Sequence, residues 1–387
     1  MNERVCIAGM SLLAFAAAIP AGQAPGIRRE GPFFVLTAEG AESVSPREPV
    51  RVATRGTVVA RGAAGNQVSW RLTTRVRARD EADAQRMLRD LEVRANRVAD
   101  GANLSVRQTG VDTRLELNVP RGLPELGIAT TGGAIEVTDL EGSVAARSAG
   151  GRVMLDRIGG KVLARTGGGE VILGKIGGSA DCVTAGGPIR AESISGEAVF
   201  ETGGGEIAVG QVGGMVRATT AGGGIRIDKA HSVVFANTAG GPIAVRYANG
   251  MVEARNAGGP IHVSSAGGCR CETADGAIYL SAVWGTLRAS TGMGSIYAQL
   301  LAGKPLADSV LRTGSGDITV LIPSNLGVSI QARNEAADTV RRIISEYSGI
   351  SVQLVGGSVI AEGDINGGGP VLRISGNGGT IFIKRLN

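Results

Sequence analysis

Side chains able to do chemistry are scarce in this 387-residue sequence, which has two histidines, four cysteines and 3% aromatic residues. Those numbers alone exclude most metal centres and haem proteins. Three groupings are left. Asp156, Glu192 and Asp228 recur every 36 residues, with Gly174 and Gly210 halfway between them. Paired carboxylates are the machinery of glycoside hydrolysis, but two strand spacings separate them by about 10 Å, slightly more than an inverting pair needs. No Ser-His-Asp set is identifiable, so a β-helix enzyme acting on polysaccharide is the second alternative. Cys269 and Cys271 point the same way from one strand and lack further ligands for a metal. The third grouping is aromatic: His262, Tyr279 and Tyr297, each directly after an isoleucine (Ile261, Ile278, Ile296). With Arg226 toward the N-terminus, it suits a sugar or an anionic polymer segment. The same rows also suit a stacking ladder that only stabilises its coils.

What must position these residues is an 18-residue repeat. Its unit reads Thr-x-Gly-Gly-x-Ile-x-Val, then x-x-Ile-x-Gly, then Val-x-Ala-x-Thr. The anchor recurs at Thr130, Ser148, Thr166, Thr184, Thr202, Thr220, Thr238 and Asn256, and less strictly at Thr273, Thr291 and Thr313. Eighteen residues hold two short strands and two turns, and one such unit cannot bury its apolar face alone. Stacking in register gives a single-stranded parallel β-solenoid (β-helix), mainly β, of about eleven coils at roughly 4.8 Å each. The usual crossover preference predicts right-handed coiling. Each strand is expected to alternate strictly in and out. The Thr column then faces inward as a ladder of hydroxyls bonding to each other and to the corner backbone. Calcium-binding β-rolls need an aspartate shortly after the glycines, and aspartate is not periodic here. The sequence therefore calls for no metal and no cofactor.

Residues 49–122 lack the repeat, and 25–122 read as a small α+β cap domain over the end of the solenoid. Strands are expected at 49–60, 67–77, 104–107 and 113–119. A helix capped by Asp80 and Asp83 carries Ala84, Leu88, Leu91 and Ala95 on one face. The solenoid occupies 123–387, with a helical or loop interruption near 334–347, where Val340, Ile343, Ile344 and Tyr347 have helical spacing. Residues 356–383 resume the repeat and end Gly378-Gly379-Thr380-Ile381-Phe382-Ile383. Cys182 and Cys271 fall in an inward alanine column five coils apart, about 24 Å and far beyond disulfide reach. All three later cysteines are expected as buried thiols.

Residues 1–24 read as a signal peptide: Arg4, an apolar stretch over 5–19 broken only by Ser11, and small residues before Pro25. Fifteen residues are too few to span a bilayer, so the mature chain is expected to have no transmembrane helix. Cleavage between Ala21 and Pro25 and export to the periplasm, outer envelope or medium follow. The net charge of +5 comes from 25–122, where 17 arginines face 12 acidic residues; the rest is neutral. Export, and basic residues that are not interleaved with a series of stacking aromatics, argue against nucleic acid as a partner.

The Arg-rich α+β lead-in, the Val119-Pro120 boundary, the tandem Thr-x-Gly-Gly-x-Ile-x-Val units and the Gly-rich closing coil together resemble the "putative adhesin" family of bacterial envelope proteins, a domain of unknown function. The resemblance covers roughly residues 40–387. It implies an exported β-solenoid with an adhesin-like or scaffold role and transfers no site residues. The expected function is a non-catalytic envelope module. Its partner is an envelope polysaccharide or another surface protein. The alternative is a self-assembling structural protein that associates through its coil ends.

Overall fold

The computed structural model describes residues 27–45, 48–89, 91–98, 101–107, 112–335 and 342–386. The expected signal peptide lies outside them. Among the described residues the repeat forms eleven successive two-strand coils, from Glu125–Thr130 with Ile135–Leu140 to Ser309–Ser315 with Ile318–Pro323. Each strand pairs in parallel with its equivalent one coil away. Thr166 lies beside Thr184 and Thr184 beside Thr202 in one sheet, while Val171 lies beside Ile189 and Ile189 beside Ile207 in the other. We call these the Thr sheet and the Ile sheet.

Six inward columns per coil fill the space between the sheets. In one coil they are Val162, Ala164, Thr166, Val171, Leu173 and Ile176, all buried. Strict alternation fails once. Between Leu173 and Ile176 two residues, Gly174 and Lys175, face outward in succession. The register there skips from Leu155 beside Leu173 to Ile158 beside Ile176. The Ile strand thus bends in its middle, which brings a sixth column (Leu140, Ile158, Ile176, Ile194, Val212) into the core. In mid-column the alanine row admits Phe200, fully buried between Cys182 and Ala218. Its small neighbours leave the volume it fills.

Polar bonds tie the coils together at the Gly-Gly corner. Thr202 donates its hydroxyl to the Gly187 carbonyl of the preceding coil at 2.8 Å and accepts the Gly205 N–H of its own corner at 3.1 Å. Thr166, Thr184 and Thr220 repeat both bonds, and Asn256 reproduces them with its amide. The expected ladder is present, but the hydroxyls bond to backbone of two coils instead of to each other. A hydroxyl has one hydrogen, and the corner carbonyl takes it. The corner also explains its second glycine. A Cβ on Gly187 would sit 2.1 Å from the Gly169 oxygen, whereas one on Gly186 would meet nothing within 4 Å.

Both ends depart from the order of the chain. At the N-terminal end Val50–Thr54 and Thr57–Ala63 form a coil paired on one side with Glu125–Thr130 and Ile135–Leu140. On its other side lie Gly101–Arg107 and Asp112–Pro120, which come later in sequence. The lead-in therefore shares both sheets with the solenoid. The expected single strand at 49–60 is two strands bent at Arg55-Gly56, because Val50, Val52, Val58 and Ala60 continue the inward columns. Antiparallel strands close this end: Gln67–Arg77, Phe33–Ser43 and Ile27–Glu30 on the Ile sheet, and Glu92–Val98 on the Thr sheet. The helix spans Glu81–Leu88, with the Asp80 carboxylate accepting the Asp83 N–H at 2.8 Å. It is shorter than expected; Ala95 belongs to the strand Glu92–Val98, which pairs with Gly101–Arg107.

At the C-terminal end the last two strands of the chain, Val371–Gly376 and Ile381–Leu386, insert as a coil. They separate Ser309–Ser315 and Ile318–Pro323 from Val328–Asn334 and Ile343–Ser345. The resumed repeat is thus the penultimate coil in space and leaves the terminal position to earlier residues. Of the interruption expected over 334–347, residues 336–341 lie outside the described residues. Ile343–Ser345 is a strand beside Ile381–Ile383, as its β-branched isoleucines favour, where the helical spacing put Ile343 and Ile344 on a helix face. A hairpin, Ile350–Val355 with Ser358–Ile365, packs antiparallel on Val328–Asn334 and ends the Thr sheet.

Candidate ligand-binding stripe

His262, Tyr279 and Tyr297 stand in one outward column of the Ile sheet on three adjacent strands. Each follows a buried isoleucine, so the pleat directs it to solvent. The His262 and Tyr279 rings stack, with centroids 4.5 Å apart and planes 10° from parallel. Tyr279 is 42% exposed. Arg226 is in the same column but two strands away, with Ala244 between it and His262. The structure thus brings the aromatic three together and sets the arginine across a gap.

The column does not stop at Tyr297. It continues through Thr319 to Phe382 and then Ile344. The Lys384 ammonium lies 5.1 Å from the Phe382 ring centre, and Ile344 is 45% exposed. Phe382 follows Ile381 as Tyr297 follows Ile296, so aligning the repeats identifies its outward phase. Its place beside Thr319 depends on the inserted coil and has no signal in the sequence.

The carboxylate column has other duties. Asp156 accepts the Lys175 N–H at 3.1 Å, a bond that replaces ladder pairing where the strand bends. Its other oxygen meets Arg157. Arg157 also clasps Asp139 on the preceding coil, at 2.6 and 2.8 Å. That guanidinium holds the Asp139 carboxyl at about 2, below its ordinary 3.8. Asp139 and Arg157 both have positive φ, 63° and 52°, so the clasp stabilises a backbone shape that side chains ordinarily avoid. Asp228 pairs with Arg246 at 3.3 Å. The glycine between Glu192 and Asp228 has a steric cause: a Cβ on Gly210 would lie 2.3 Å from the Glu192 carbonyl oxygen.

Cys182, Cys269 and Cys271 are free and fully buried. Burial pushes the Cys182 thiol far up. A hydrogen bond with Cys269, and then burial, raise the Cys271 thiol. The second histidine, His231, faces Gln211 at 3.3 Å on the outer surface. Among the described residues no three His, Cys, Asp or Glu side chains converge in a metal-holding cluster, and no helix is long and apolar enough to cross a membrane.

No family model matches the chain, and no curated protein is similar to it. Solved structures do match. A "putative adhesin" from Bacteroides fragilis is 14% identical over 62% of this chain and 95% of its own, with a TM-score of 0.33. A "putative lipid binding protein" from Parabacteroides distasonis is 12% identical over 72% and 94%, with a TM-score of 0.27. A "putative cell adhesion protein" from Clostridium sporogenes is 10% identical over 90% and 100%, with a TM-score of 0.17.

Proposed function

We propose that this chain is an exported, non-catalytic, adhesin-like module of the cell envelope, and that it holds an acidic surface glycan at the N-terminal end of its aromatic stripe. One observation carries the reading. Tyr279 stacks on one face of the His262 ring, and the neighbour toward the other face is the methyl of Ala244. Beyond Ala244 stands Arg226. The result is a slot floored by a small residue, with an aromatic ring on one wall and a guanidinium on the other. Two strand spacings put the walls about 10 Å apart, room for one sugar ring. A pyranose stacks its C–H face on the imidazole, and a uronate carboxylate takes the charge-assisted bonds of the arginine. The parallel ladder on both sides holds the walls in place before the ligand arrives, which limits the ordering cost of binding.

Titration calorimetry with an oligouronate and with a neutral glucan oligomer tests this. Arg226→Ala is expected to weaken oligouronate binding at least fivefold, and His262→Ala to weaken both ligands, with urea midpoints close to that of the parent. The double variant Tyr279→Ser with Tyr297→Ser separates support from contact. Lost stability with unchanged glycan binding would leave those two rings as a stacking ladder only. Unchanged affinity in both Arg226→Ala and His262→Ala would overturn the slot.

A further inference from the structure

The two ends of the solenoid are finished differently. At the N-terminal end the helix Glu81–Leu88 packs Ala84 and Leu88 onto Phe34, Leu36 and Val76. The outermost strands there are charged: Ile27–Glu30 reads Ile-Arg-Arg-Glu, and Glu92–Val98 carries a Glu92–Arg94 ion pair at 2.6 Å. Such charges block edge-to-edge pairing, because a paired edge would desolvate them. The C-terminal end lacks this protection. Its outermost Thr-sheet strand, Ile350–Val355, reads Ile-Ser-Val-Gln-Leu-Val, without charge or proline. Ser358–Ile365 pairs with one side of it, and among the described residues no strand pairs with the other. Its inward phase, Ile350, Val352 and Leu354, runs out of the core. Ile350 is 7% exposed and Leu354 52%, with Val355 at 51% beside it. Among the described residues the Ile sheet covers this end with the three residues Ile343–Ser345. Gly356 and Gly357, at φ 58° and 80°, make the tight turn that holds the strand extended to its tip.

We propose that a second copy of this chain covers this end, the two Ile350–Val355 strands pairing antiparallel about a twofold axis at Val352. In that register Ile350 faces Leu354 of the second copy, Val352 faces Val352, and Ser351 faces Gln353. Inward residues meet inward residues, so both the Thr sheet and the core run on across the interface. The occupant is a second copy in this orientation because the strand matches itself, apolar against apolar, with no charge buried. Head-to-tail stacking would set the Glu92–Arg94 ion pair against the uncharged edge, at the cost of desolvating that pair. The interface is isologous and uses up the open end, so assembly stops at the dimer.

Light scattering coupled to size exclusion, on the full mature chain over a hundredfold concentration range, is the test. A dimer mass is expected, falling to monomer on dilution. Leu354→Lys with Val355→Lys places cations on the paired edge and is expected to raise the dissociation constant at least tenfold while the urea midpoint, read at a dilution where both proteins are monomeric, stays within the parent's error. Asn96→Lys on the opposite edge is expected to leave the dimer intact. A monomer at every concentration, a mass that grows past two copies, or a dimer that survives the double lysine variant each overturns the proposal.

Discussion

The backbone N–H of Thr380 donates to the Asp317 carboxylate at 2.8 Å, across 63 residues of sequence. One coil earlier in space the Asp317 N–H donates to the Ser295 hydroxyl oxygen at 3.2 Å. The contact marks where the end of the chain is threaded between two coils made before it. Gly379 belongs to the same junction, its missing Cβ leaving space that the Gly316 oxygen would otherwise contest at 1.9 Å.

Because that coil is internal, damage to it should spread both ways. Ile381 is 1% exposed and lies between Ile318 and Ile343. Ile381→Asp is expected to cost about 3 kcal/mol or more. Hydrogen exchange should show lost protection in Ile318–Pro323 and Val328–Asn334 together. Protection lost only after residue 370 would mean that the last coil is peripheral.

Two adjacent glycines should respond in opposite ways. Gly187→Ala forces a methyl onto the Gly169 carbonyl and is expected to cost about 3 kcal/mol, the upper range for overpacking. Gly186→Ala meets open space and is expected to be neutral or to stabilise by up to about 1 kcal/mol through the unfolded chain. Urea unfolding of the two variants side by side checks the pair.

Acid should release the Asp139 clasp late. The carboxyl titrates at about 2 in the folded chain against 3.8 ordinarily, held down first by its bond from Arg157. The folded state therefore binds fewer protons between these values, so the contribution is full above about 4 and disappears as the pH falls through about 2. Asp139→Asn is expected to lower the urea midpoint at pH 7 and to match the parent near pH 2. A midpoint difference unchanged over that range would show that the charge on Asp139 is immaterial.

Thiol reactivity reports the integrity of the core. Cys182, Cys269 and Cys271 have no exposed surface, and the Cys182 and Cys271 thiols are raised. Thiolate is the reactive form, so a disulfide reagent at pH 8 is expected to label none of the three in folded protein and all three in urea. Labelling of Cys182 at a rate above that of global unfolding would reveal local opening around Phe200.

Much of this architecture is legible residue by residue. The columns headed by Thr130 and Ile135 identify the parallel stacking, the inward phase and the outward direction of His262, Tyr279 and Tyr297, because pleat and period are local properties. The helix start at Asp80 is equally local, since its cap bonds three residues ahead. What the sequence leaves open is the order of coils that are not adjacent in the chain. An Ile-x-Val strand can lie beside any other, and the repeat that makes the fold readable makes its ladders interchangeable. Corner contacts over long separations break that degeneracy: Asp317 with Thr380 and Asp308 with Val371 at one end, and Thr130 with Gly56 at the other. From that ordering alone come the extension of the aromatic column through Phe382 to Ile344, and the uncharged strand Ile350–Val355 left at the open end.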